Sequence, residues 1–194
     1  SIGKVNYSVG GNFTFARNKI VEMAEAEGTS EYMRQTGRPI NGYYGYKTDG
    51  IFQSQEEIDS YAKQEVAGVG YETQIGDIKY VDVDGNGVVN SDDMTYLGYG
   101  NIPEIIYGIN GSLNWKNFDF SFLMQGAANA QVYLKGGIIL PYFNQGNLPQ
   151  FWVNEAWTEE NPSNRYPRLA ESVHNFPATD VPGVQTYLYN ASYL

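Results

Sequence analysis

The sequence predicts an all-β fold, and three observations lead to this prediction. Several segments alternate apolar and polar residues with a period of two, the pattern of a strand with one apolar face. Aromatic residues make up 15% of the chain and charged residues only 18%, with 17 tyrosines and 22 glycines. This composition is more typical of long β structure than of helical bundles. No run of 18 apolar residues occurs, so no transmembrane helix is expected.

The first predicted strand lies near residues 4–16. Its polar positions carry Asn, Ser, Gly and Thr, whereas a soluble strand facing water more often carries Lys, Glu or Arg. Its length is close to the roughly 9–11 residues with which a β-strand crosses a bilayer. The alternate apolar residues of this segment are Val5, Tyr7, Val9, Phe13 and Phe15.

A β-hairpin is predicted next, with strands near 105–115 and 118–126. Lys116 and Asn117 lie between the two alternating segments and form its two-residue turn. Trp115 and Phe118 flank this turn, and aromatic rings at strand ends are typical of the interfacial girdle of a membrane barrel. A last strand is predicted near 184–189.

The same alternation would also suit a half-buried sheet in a soluble sandwich, and the connection lengths help to separate the two folds. One turn has two residues, whereas the segments 17–104 and 127–183 are very long. Membrane barrels alternate short turns with long extracellular loops, and compact soluble domains rarely contain such long connections. The fold predicted here is therefore an antiparallel transmembrane β-barrel with two long extracellular loops. One short helix is expected in the first loop, where Ser54 and Glu57 form a capping pattern.

A calcium-binding loop is predicted at 82–93, within the first long loop. Oxygen-bearing side chains fall at loop positions 1, 3, 5, 9 and 12, and Gly87 lies at position 6, where the backbone must turn sharply. Position 12 is Asp93 where calcium-sensing loops usually have Glu, so a structural site is expected. The alternative is a tight turn on Asn86 and Gly87 or on the preceding Asp-Gly pair. The predicted ligands are Asp82, Asp84, Asn86, the carbonyl of Val88, Asn90 and Asp93.

Charge and composition exclude several functions. The formal net charge is −10, and nucleic-acid binding needs clustered Lys and Arg. Cysteine is absent, which excludes disulfides and thiol catalysis in this chain. Glu155, Glu159 and Glu160 lie in one acidic stretch that suits a surface loop better than a glycosidase pair. The only histidine, His174, has no recognisable catalytic triad around it, so no enzyme is predicted.

Several motifs in a fixed order resemble the SusC/RagA family of TonB-dependent outer-membrane transporters. They extend over nearly all of the chain and are specific when taken together. The motifs are GYYGYKTDGIF at 42–52, GDIKYVDVDGNG at 76–87, YLG at 96–98, IPE at 102–104, YGIN at 107–110, DFSF at 119–122, QG at 125–126, WT at 157–158, NP at 161–162, PR at 167–168 and ASYL at 191–194.

This resemblance implies a late part of a 22-stranded barrel, with the plug domain and the remaining strands absent from this sequence. Members of the family import glycan fragments or peptides across the bacterial outer membrane. They act with a SusD-type surface lipoprotein and take energy from the inner membrane through TonB, which would contact an N-terminal part missing here. The loops 17–104 and 127–183 would then form the extracellular barrel mouth and the lipoprotein interface.

Two further expectations concern ligands and an alternative function. Aromatic rings stack on sugars, and the candidate ligand-binding residues in the loops are Tyr43, Tyr44, Tyr46, Trp152 and Trp157; rim packing is the competing role for each. The alternative function is that of an extracellular calcium-stabilised β module for adhesion or scaffold binding. Such a module would share the calcium loop but would fold without detergent.

Overall fold

The computed structural model describes residues 5–68, 70–134, 141–142, 147–163, 165–170, 175, 183–184 and 187–192. The predicted all-β fold class is confirmed, since strands dominate and the described helices are two short ones. No helix in these ranges has the length and apolarity needed to cross a membrane. The elements are β1 (Val5–Phe15), β2 (Tyr43–Tyr46), β3 (Thr48–Ile51), α1 (Gln55–Ser60), β4 (Lys63–Gln64), β5 (Ile78–Tyr80), β6 (Val88–Val89), a 3-10 turn (Ser91–Asp93), β7 (Thr95–Gly98), β8 (Ile105–Trp115), β9 (Phe118–Ala128), β10 (Gln131–Tyr133), α2 (Gln150–Glu155), β11 (Gly183–Val184) and β12 (Leu188–Asn190).

Three long antiparallel strands form the largest sheet, in the order β1-β8-β9. Each has 11 residues, and the pairing has no shift in register: Val5 lies opposite Trp115, which lies opposite Phe118. Lys116 and Asn117 form the turn between β8 and β9, and Lys116 adopts a φ of 56°. The predicted hairpin and its turn are therefore present as expected.

The loop segments contain regular structure of their own. Within 17–104, the strands β2, β3, β5 and β7 and the parallel pair β4-β6 form small sheets, and β11 joins the edge of β2. The expected helix is α1, where the hydroxyl of Ser54 accepts a hydrogen bond from the amide of Glu57 at 3.2 Å. The second short helix, α2, was not expected from the sequence.

The last segment differs from the prediction of one strand near 184–189. Gly183 and Val184 pair in parallel with β2, whereas Leu188–Asn190 pairs antiparallel with β10. Two short strands therefore belong to two different sheets, and residues 185 and 186 between them lie outside the described part of the chain.

The buried core lies in the loop segments and not on the long sheet. Ile78, Tyr80 and Val89 of the first loop pack with Trp152 of the second and with Tyr187, which follows the second loop, and each is 0% exposed. The two long loops thus share one core, while the long strands expose both of their faces along most of their length.

Candidate functional site

One face of the β1-β8-β9 sheet is apolar along its whole length. The register places Tyr7 opposite Leu113 and Leu113 opposite Phe120, so apolar residues of all three strands share this face. Phe13 is 69% exposed and Phe120 is 53% exposed. The face is therefore not covered by any of the described residues.

The opposite face carries mainly small polar groups. Ser8 and Ser112 are joined by a hydrogen bond of 2.8 Å between their hydroxyls, and the side-chain amide of Asn114 donates to Asp119. Leu123, 74% exposed, is the main departure from this pattern. A sheet with one apolar face and one mainly polar face is suited to separate hydrocarbon from a water-filled lumen.

Glu104 ties together the ends of the three long strands opposite the hairpin turn. Arg17, just after β1, donates from Nε to Oε1 at 2.8 Å and from Nη2 to Oε2 at 2.7 Å. Asn129, just after β9, donates its side-chain amide to Oε2 at 3.1 Å. The hydrogen bonds from Arg17 lower the pKa of Glu104. This arrangement was not predicted, because the three residues are far apart in the sequence.

Asp77 holds the two long loops together. It is 0% exposed, and its Oδ1 accepts from Nε of Arg168 at 2.7 Å and from Nδ2 of Asn175 at 2.7 Å. Its Oδ2 accepts from the hydroxyl of Tyr71 at 2.8 Å and from the amide of Gln74 at 2.9 Å. Four donors thus satisfy a buried carboxylate, as burial of a charge requires.

The predicted metal ligands lie close together in the 82–93 loop. One carboxylate oxygen from each of Asp82, Asp84 and Asp93 lies within 4.8 Å of the others. Two oxygens on opposite sides of a calcium ion are about 4.6–5.2 Å apart, twice the usual bond length. Three carboxylates at this spacing repel one another unless a cation lies between them, and hard oxygen donors are the set that calcium prefers.

Hydrogen bonds hold this loop in a tight, repeating series of turns. The oxygens of Asp82 accept from the amides of Gly85 at 2.7 Å and Gly87 at 2.8 Å, and these bonds lower the pKa of Asp82. Asp93 is 0% exposed and accepts from the amide of Asn90 at 2.8 Å. The loop is thus ordered by its own backbone around the carboxylates. Comparable bonds run from Asn86 to Asp84, from Val88 to Asn86, from Asp92 to Asn90 and from Val83 to Asp93.

The pairing of β4 with β6 sets the direction of the Val88 carbonyl. In the β4-β6 ladder, the amides of Lys63 and Glu65 donate to the carbonyls of Gly87 and Val89. Carbonyls point alternately to either side of a strand, so that of Val88 points away from β4.

Of the candidate ligand-binding aromatics, two belong to the core. Trp152 is 0% exposed and Tyr46 is 6% exposed, and burial raises the pKa of Tyr46. Neither ring offers a free face to an oligosaccharide.

The other three aromatic candidates are partly buried. Tyr44 donates to the carbonyl of Arg34 at 3.1 Å, and the indole of Trp157 donates to Oε1 of Gln53 at 2.9 Å. Tyr43 lies with its ring centroid 6.2 Å from that of Tyr133. The structure therefore gives each of these rings a packing role. His174 lies outside the described residues.

Sequence comparisons relate the chain to large receptors. It is 36% identical over 143 residues to TonB-dependent receptor P26 of Formosa agariphila, which is 73% of this chain and 14% of that protein. The chain is related to TonB-dependent receptors. TonB-dependent receptor P39 of the same organism is 24% identical over 153 residues, 63% of this chain. The chain spans only about 15% of the length of each receptor, and no protein-family model matches it.

Proposed function

We propose that this chain is part of an outer-membrane TonB-dependent importer of the SusC/RagA type, taking up glycan fragments or peptides. In this proposal, β1, β8 and β9 are neighbouring strands of the barrel wall. The segments 17–104 and 127–183 lie outside the cell, and a SusD-type lipoprotein closes over them. The relationship to TonB-dependent receptors supports the transport class.

The uncovered apolar face of the long sheet is the observation that carries this proposal. Val9 is 75% exposed and Phe118 is 63% exposed, on strands that are separate from the buried core. Exposed apolar faces of this extent mark an interaction with a membrane or a partner. The outer edges of β1 and β9 have no partner among the described residues, and a bilayer requires every such edge to be paired. Further strands of the same receptor would supply that pairing.

The alternative of a soluble adhesion module is disfavoured by the same observation. A module that folds in water would cover Phe13 and Phe120 with a second layer, because apolar burial is its main source of stability. The described residues supply no such layer.

Uptake by cells tests the function directly. A strain lacking the receptor gene is supplied with labelled oligosaccharides and peptides, and uptake is compared with that of the complemented strain and of a strain lacking TonB. We expect one substrate class to require both the receptor and TonB, and the SusD-type lipoprotein to co-purify with the receptor. Equal uptake of every tested oligosaccharide and peptide by all three strains would contradict the proposed import.

We also propose that the 82–93 loop binds calcium as a structural ion. Its ligands would be the carboxylates of Asp82, Asp84 and Asp93, the side-chain oxygens of Asn86 and Asn90, and the carbonyl of Val88. Bound calcium would neutralise the three carboxylates and fix the loop against β4. For an extracellular structural site, an affinity of order 10⁻⁴–10⁻³ M would be sufficient.

The calcium prediction is tested by loop proteolysis in the full-length receptor. Replacing Asp82 and Asp84 with Ala should make the loop sensitive to protease even with calcium present, as chelation does for the unaltered protein. The matched control, Glu56→Ala with Asp59→Ala on α1, removes the same charge elsewhere and should keep calcium-dependent protection. Protection that is the same with and without chelator in the unaltered protein would show that no structural ion binds here.

A further inference from the structure

A groove lies directly beyond the end of the long sheet, at the end opposite the hairpin turn. It has a volume of about 650 Å³. It continues into a smaller hollow that shares Arg17, Tyr99 and Glu104 with it and includes Ile102. Its lining is unlike the rest of this acidic chain, because three cationic side chains face one carboxylate. The charged residues of the lining are Arg17, Lys19, Arg38 and Glu104.

Two of the three cations have no acidic partner among the described residues. Both oxygens of Glu104 are already bonded to Arg17. Lys19 is exposed, and the guanidinium of Arg38 lies 5.2 Å from the ring centroid of Tyr96. Neither Lys19 nor Arg38 forms an ion pair within the described ranges. The groove therefore has two positive charges available for an anionic ligand.

The groove adjoins the apolar sheet face through Arg17. Phe15 belongs to that face through its pairing with Ile105, and the guanidinium of Arg17 lies 5.3 Å from the centroid of the Phe15 ring. Ile102, on the rim of the groove, is 62% exposed, and Ile40, next to Pro39 of its lining, is 66% exposed. Phe15 thus brings the apolar face of the sheet into contact with the cationic side chain of Arg17.

We propose that this groove binds the phosphate-bearing headgroup of an outer-leaflet lipid. The inference rests on the proposed membrane position of the sheet. Hydrocarbon against the apolar face would place the lipid headgroups at the level of Arg17, Lys19 and Arg38. Arginine pairs with phosphate through two parallel hydrogen bonds, and basic residues next to a membrane surface attract anionic lipids. The exposed Ile102 would lie beside the uppermost part of the acyl chains.

Native mass spectrometry of the full-length receptor, purified from outer membranes in mild detergent, tests the proposal. The probes are bisphosphorylated lipid A, dephosphorylated lipid A and inorganic phosphate. The variants are Lys19→Gln, Arg38→Gln and the double variant that carries both substitutions. The control is a second double variant, with Lys47→Gln and Lys63→Gln, which removes the same charge elsewhere. The single variant Lys19→Gln changes only an exposed side chain and guards against an effect on folding.

We expect bisphosphorylated lipid A to bind the unaltered and control receptors, and the double variant to bind it about thirtyfold more weakly. Millimolar inorganic phosphate should fail to displace it. Equal binding of lipid A by the double variant, or of dephosphorylated lipid A by the unaltered receptor, would overturn the proposal. Free phosphate binding as tightly as the lipid would also overturn it. An acidic oligosaccharide that requires Lys19 and Arg38, with no lipid bound, would instead make the groove a ligand site.

Membrane insertion and uptake are measured on the same variants so that the two proposals can fail separately. If the receptor inserts and transports but the double variant binds lipid A as tightly as the unaltered receptor, only the lipid site is overturned. If carbonate extracts the receptor from the outer membrane, the barrel assignment and the lipid site are both overturned.

Discussion

At the scale of single residues, Asp77 connects the two long loops through its hydrogen bonds. Its carboxylate joins Gln74 of the first loop to Arg168 and Asn175 of the second. Asn175 in turn accepts a hydrogen bond from the amide of Ile78 at 2.9 Å. One buried charge therefore orients groups from both loops and the start of a core strand.

Replacing Asp77 with Ala should destabilise the loops by about 3–5 kcal/mol, because it removes the acceptor shared by the Arg168 guanidinium and three other donors. Hydrogen exchange of the Ile78 amide in the full-length receptor measures the free energy of local opening. Asp59→Ala, on the surface of α1, is the control and should change this free energy of opening by less than about 0.5 kcal/mol. Equal exchange rates in the two variants would show that Asp77 does not hold the loops together.

Glu104 makes the stability of the strand ends dependent on pH. Its folded-state pKa is lowered by Arg17, so its contribution is complete above the ordinary carboxyl range, about 4. The contribution is lost as the pH falls through the lower folded value. Thermal unfolding of the full-length receptor in detergent should therefore show a loss of stability toward acid that Glu104→Gln reduces. An unchanged acid slope in Glu104→Gln, relative to the exposed control Glu56→Gln, would contradict this role.

At the scale of elements, Gly76 allows β5 to begin next to the second loop. Its φ is +90°, and a Cβ there would come within 2.4 Å of the Trp157 ring and 2.9 Å of Cβ of Arg168. Gly28 has a similar φ of +87° but has nothing within 4 Å of the same position. Comparing Ala substitutions at the two glycines therefore distinguishes the cost of backbone strain from the cost of steric crowding by Trp157 and Arg168.

Gly28→Ala should cost about 1–2 kcal/mol from the left-handed backbone alone. Gly76→Ala should cost about 1–3 kcal/mol more, because Trp157 must move. Limited proteolysis of the extracellular loops, with exchange of the Arg168 amide as a second readout, measures the difference. Equal losses of stability in the two variants would mean that the packing of Trp157 on Gly76 contributes nothing to the stability of the loops.

The long strands could be predicted from the sequence because their pattern is local. The period of two in β1 and β8, and the two-residue turn at Lys116, specify faces and register without knowledge of the rest of the chain. The calcium loop was recognisable for the same reason, since its candidate ligands lie within 12 consecutive residues. Whether calcium binds there remains a prediction.

The interior of the loops could not be predicted in this way. The sequence makes Trp152 and Tyr46 candidate ligand contacts because exposed aromatic rings bind sugars, yet they are buried together in a core built from two distant segments. The pairing of Arg17 with Glu104 spans 87 positions, and the two-residue strand β11 is too short to show a period. Only the three-dimensional meeting of the loops reveals these contacts.

At the scale of the whole molecule, the loops and the long sheet differ in whether they bury their apolar side chains. The loops bury Trp152, Tyr80 and Ile78 completely, as a domain in water does, whereas the long sheet exposes Phe13 and Phe120. Both patterns are expected in one protein if the long sheet is surrounded by hydrocarbon and the loops by water. The proposal of import depends on this difference more than on any single site.

Spin labels on neighbouring positions of β9 test this difference most directly. Single cysteines replace Phe120 on the apolar face and Ser121 on the polar face of the full-length receptor in lipid bilayers. We expect the label at 120 to collide mainly with oxygen, which concentrates in hydrocarbon, and the label at 121 to collide mainly with a water-soluble nickel chelate. Equal access of the chelate to both positions, or a label at 120 shielded from both reagents inside a protein core, would contradict the account.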